Sequence, residues 1–73
     1  MNDHPNKHIR AAIDYALGRD WRLVKSGSRA HAWGRLFCPA QMRGGCIVSV
    51  YGAPRVPEHH AAYLRRVVDA CPH

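Results

Sequence analysis

Two apolar stripes of helical period stand near the ends of this chain, and they constrain its fold more than any other feature. In "KHIRAAIDYALGR", Ile9, Ala12, Ile13, Ala16 and Leu17 recur at three- and four-residue spacing, with Arg10, Asp14 and Arg19 away from the centre of the stripe. In "EHHAAYLRRVVDAC", Ala61, Leu64, Val67, Val68 and Cys71 repeat the pattern. Each stripe must be buried against something. The first helix is expected over residues 6–18, with Asn6 as a cap and Gly18 as a C-terminal signal. Pro57 suits the first turn of the second helix, and Pro72 ends it.

Between the stripes the chain changes character. "WRLVK" is rich in strand formers, but its alternation leaves open which side faces inward. "SGS" is a turn. "RAHAWGRLF" then reads as a second strand, with Ala30, Ala32, Gly34 and Leu36 on one face and His31, Trp33, Arg35 and Phe37 on the other. Pro39 and Gly44-Gly45 make residues 38–45 a loop. "CIVSVY" is the third strand, with Cys46, Val48 and Val50 sharing a face. "GAPRVP" connects it to the second helix.

These elements predict an α+β domain of order α-β-β-β-α. A three-stranded antiparallel sheet with both helices packed on one face would bury the two stripes together. At 73 residues the chain suits one compact domain over 1–73, with 1–5 as a flexible lead-in. The other sheet face would then show His31, Trp33 and Arg35 to solvent.

Charge narrows the partners. There are 11 Lys+Arg against 5 Asp+Glu, a formal net charge of +6. Nine of the cations are arginines, whose planar fork suits phosphate. The stretch from Arg19 to Arg43 holds six basic residues and only Asp20 against them. Such a cationic middle points to a polyanion or an acidic protein, although a merely soluble surface would look similar.

Several classes are disfavoured. No apolar run approaches the roughly 20 residues of a membrane span, and no hydrophobic leader follows Met1. The odd set Cys38, Cys46 and Cys71 lacks a CxxC pair, so a reducing cytoplasm is expected, without a disulfide framework. Its spacing matches no common zinc pattern, so no metal or other cofactor is expected and Cys46 and Cys71 read as small core residues. His4, His59, His60 and His73 read as solvated. Phosphate-loop and nucleophile-elbow motifs are absent, and the acidic residues are too dispersed for a two-metal nuclease.

The outward strand face carries the chemistry that remains. Histidine, tryptophan and arginine together offer proton transfer, base stacking and phosphate contact. RNA can be cleaved without a metal when a base activates the 2′-hydroxyl against the adjacent phosphate. His31 is the candidate for that base, or for the matching acid. Ser28, Arg29, Trp33, Arg35, Arg22 and Arg43 are the candidate RNA contacts.

This layout resembles the HicA-like family of small toxins from bacterial toxin–antitoxin systems. Gly27, Ser28, His31 and Trp33 fall on that family's glycine, serine or threonine, histidine and aromatic pattern. The histidine comes one step later than usual, because Arg29 and Ala30 intervene. "DWRLVKSG" resembles the first strand and turn, and "VSVYGAPRVPEHHAAYLRRVVDAC" the third strand, connection and closing helix. The resemblance covers residues 7–71. It implies a fold like a double-stranded-RNA-binding domain, a metal-independent endoribonuclease acting on mRNA with His31 as catalytic residue, and neutralisation by a HicB-like antitoxin. Two other readings stand beside it: a non-catalytic nucleic-acid-binding module of the same fold, and a small phage or mobile-element inhibitor docking on an acidic protein. Oligomeric state is left open.

Overall fold

In a computed structural model, residues 2–26, 32–40 and 46–71 are described. The order is α1 (Lys7–Leu17), β1 (Arg22–Lys25), β2 (Gly34–Phe37), β3 (Ile47–Val50) and α2 (Pro57–Ala70). The strands form one antiparallel sheet in the order β1-β2-β3. The α-β-β-β-α domain expected from the periodicities is therefore present.

The first helix starts where its cap chemistry dictates. The Asn6 side chain accepts from the backbone N–H groups of His8 (2.9 Å) and Ile9 (3.3 Å), two of the donors that a helix start leaves unpartnered. Gly18 follows the last turn with ordinary right-handed angles, and Asp20 takes the left-handed conformation at φ 69°. The reversal into β1 thus falls two residues beyond the glycine, on a residue type that tolerates it. Helix α2 has Pro57 in its first turn, as its fixed φ favours.

One core holds these elements together. Ile9, Ala12, Ile13 and Ala16 of α1 meet Ala61, Leu64 and Val68 of α2, and both helices lie over Trp21, Leu36, Val48 and Val50. The register places Leu23, Leu36 and Val48 side by side on the covered face. This resolves the facing of β1: Trp21 and Leu23 turn inward, and Arg22 and Val24 turn outward.

Two expectations change. The second strand is shorter than read, because Ala32 and Trp33 form a bend and β2 begins at Gly34. Gly34 is fitted tightly against its neighbour: a Cβ there would lie 3.0 Å from the Val24 carbonyl oxygen. His4, expected in solvent, is fully buried. Its imidazole meets the Trp33 ring edge-on, with centroids 4.7 Å apart at 66°. The segment before α1 is also held from outside. Asn2 Nδ2 donates to the Arg10 carbonyl oxygen (2.7 Å) and to Asp14 Oδ1 (2.8 Å), and Arg10 Nη1 donates to the His4 carbonyl oxygen (3.0 Å).

Candidate nucleic-acid interface

Among the described residues, both helices pack on one face of the sheet and none lies on the other. Its cross-strand rows follow from the register. Arg22, Phe37 and Ile47 form one row, and Val24, Arg35 and Ser49 the next. Arg22 and Arg35 are exposed, and so are Val24 and Ile47. The Arg22 guanidinium lies 5.6 Å from the centre of the Phe37 ring, within cation–π range. The face therefore combines two permanent positive charges, one aromatic ring and an aliphatic surround. Adjacent strands are about 4.8 Å apart, so these groups sit within reach of a short stretch of single-stranded nucleic acid.

Of the candidate contacts, Arg22 and Arg35 stand on this face. Trp33 does not. It is half-buried, packed against the core, and lies beside His4 and Gly52; a Cβ at Gly52 would be 3.6 Å from Trp33 Cβ. The alternation that put Trp33 outward with Arg35 stops at Gly34, so it does not govern the tryptophan. Lys25 Nζ caps the ring at 5.2 Å and also pairs with Asp3 Oδ2 at 3.1 Å. Ser28, Arg29, His31 and Arg43 lie outside the described residues. Phe37 was not among the candidate contacts, although strand alternation alone groups it with Arg35.

A second polar group lies at the other end of β3. His4 Nδ1 accepts from the Asn6 backbone N–H (3.0 Å), so its proton is on Nε2, which donates to the Tyr51 carbonyl oxygen (3.0 Å). The Tyr51 backbone N–H donates in turn to His60 Nε2 (3.1 Å). Burial, with a smaller contribution from nearby His4, holds His60 below its ordinary pKa. Both imidazoles thus act as structural links, and His60, expected in solvent, is half-buried.

Linear spacing sets the cysteines apart, yet the fold gathers them. Cys38 follows β2, Cys46 precedes β3 and Cys71 caps α2. Their Sγ atoms all lie within 4.8 Å of one another.

Among the described residues, no helix is long and apolar enough to cross a membrane. No family model matches the chain, and neither a curated protein nor a solved structure matches it.

Proposed function

We propose that the protein is RNA-directed, engages single-stranded RNA on the uncovered sheet face, and cleaves it in the manner of a HicA-like toxin. The observation that carries the binding half is the placement of Arg22 and Arg35 around Phe37 on a sheet face that no helix among the described residues covers. The net charge of +6 adds a general attraction for a polyanion. The α-β-β-β-α order, consistent in general with a double-stranded-RNA-binding-domain-like topology, supports the cleavage half together with the Gly27, Ser28, His31 sequence pattern.

In this reading His31 takes the proton from a ribose 2′-hydroxyl. The 2′-oxygen attacks the adjacent phosphorus, and the bond to the 5′-oxygen breaks. That oxygen leaves with a proton returned by the imidazolium or by water, which yields a 2′,3′-cyclic phosphate and a 5′-hydroxyl. Arg35 stabilises the charge that builds on the phosphoryl oxygens. A HicB-like antitoxin would neutralise the toxin, and a reducing cytoplasm would be its place of action.

The test is expression of the wild type and of His31→Ala in a bacterial host, paired with cleavage of labelled single-stranded RNA in chelator. The wild type should arrest growth and leave cyclic-phosphate ends. His31→Ala should do neither, while keeping its fold and its RNA affinity. Equal toxicity of the variant would overturn the role of His31. Salt-sensitive RNA binding without cleavage would leave a non-catalytic binder, and a stable complex with an acidic protein but no RNA affinity would remove the RNA reading altogether.

A further inference from the structure

Three cysteines drawn from three parts of the sequence converge at one end of the sheet. Seven residues separate Cys38 from Cys46, and 24 separate Cys46 from Cys71. Cys38 is buried; Cys46 and Cys71 are half-buried at its rim, and all three are thiols. The backbone joins the first two directly, since the Cys38 N–H donates to the Cys46 carbonyl oxygen at 3.0 Å. The Cys46 N–H in turn donates to Cys38 Sγ at 3.1 Å. Cys38 Sγ itself donates to the Ala40 carbonyl oxygen at 3.9 Å.

We propose that Cys38, Cys46 and Cys71 form a three-thiolate site for a thiophilic metal ion, zinc in the first place, which pins the end of β2, the start of β3 and the C-terminus of α2 together. The geometry is close to what such an ion needs. Zinc–sulfur bonds of about 2.3 Å place sulfurs roughly 3.8 Å apart around a tetrahedral ion. Sulfurs now within 4.8 Å of one another need to close by no more than about 1 Å, a distance that small side-chain rotations supply. The three thiolates fill three positions of the ion and leave a fourth for water or another donor.

Binding an ion releases one proton for each thiol that becomes a ligand, so affinity falls as pH is lowered. A small domain with a thin core gains most from such a staple. The proposal stands independently of any RNA chemistry.

The experiment uses the full chain, reduced and folded, with zinc and with cobalt(II) as a spectroscopic probe. One cobalt per chain should bind with intense sulfur-to-metal charge-transfer absorption, and zinc should displace it. Bound zinc should protect the three thiols from alkylation. At about a hundredfold excess over Kd it should raise Tm by roughly 10 °C or more. Cys46→Ser and Cys71→Ser change half-buried positions, so circular dichroism can establish that they remain folded. Each should weaken cobalt binding at least a hundredfold and shift or abolish the charge-transfer band. Failure of the folded, reduced wild type to bind either ion at equimolar concentration would overturn the proposal. So would unchanged binding by the two serine variants.

Discussion

His4 and Tyr51, 47 positions apart in sequence, are joined by a hydrogen bond of 3.0 Å from the His4 Nε2 proton to the Tyr51 carbonyl oxygen. The imidazole is fully buried and wedged against Trp33. It therefore ties the segment before α1 to the segment after β3. His4→Ala would remove a buried ring and leave the Tyr51 carbonyl and the Asn6 N–H without this partner. The expected loss is about 2–4 kcal/mol in unfolding free energy, read by urea titration. A loss below about 0.5 kcal/mol would contradict the link.

The His60 imidazole accepts the Tyr51 N–H while half-buried, so protonation opposes the fold. Its folded pKa is lowered, first by burial and then by the nearby His4. The sign follows from linkage. Stability from this group is fully present above the unfolded value of about 6.5 and is lost as pH falls through the folded value. The urea midpoint should therefore drop between about pH 7 and pH 5, and His60→Gln should flatten that dependence. A midpoint independent of pH across this window would count against it.

Gly34 opens β2 where Val24 and Lys25 pass close. Because the facing atom is the backbone oxygen of Val24, it cannot swing aside as a side chain would. Gly34→Ala should destabilise by about 1–3 kcal/mol, and Gly34→Val by more. Thermal unfolding of the pair against wild type would show a graded fall in Tm, and an unchanged alanine variant would refute the close fit.

Phe37 is the aromatic group of the uncovered face, with the Arg22 guanidinium 5.6 Å from its ring centre. If RNA bases stack there, Phe37→Ala should weaken single-stranded RNA binding by about 1–3 kcal/mol. Arg22→Gln with Arg35→Gln should also lower the salt slope, by roughly 0.7 for each lost phosphate contact. Fluorescence anisotropy at several salt concentrations separates the two effects. A Phe37→Ala variant with wild-type affinity would move the stacking platform elsewhere.

Local pattern and tertiary assembly divide this protein between them. Both helices, the Asn6 cap, the inward Leu36, the shared face of Val48 and Val50 and the outward Arg35 and Phe37 were legible, because helical and strand periodicity are properties of neighbours a few residues apart. Alternation in β1 was readable but its inward side was not, since only pairing with β2 and cover by the helices decide which side of a strand is dry.

What the sequence alone determined is the order of elements and the apolar stripe of each helix. The tertiary structure decided the rest: that His4 is core, that Trp33 turns to meet it, and that Cys38, Cys46 and Cys71 share one corner. Each of these depends on groups brought together by chain reversal across tens of residues, and no local period encodes such an encounter. Composition could say that the protein carries histidines and thiols. Only packing assigned one histidine to the interior and gathered three sulfurs within reach of a single ion.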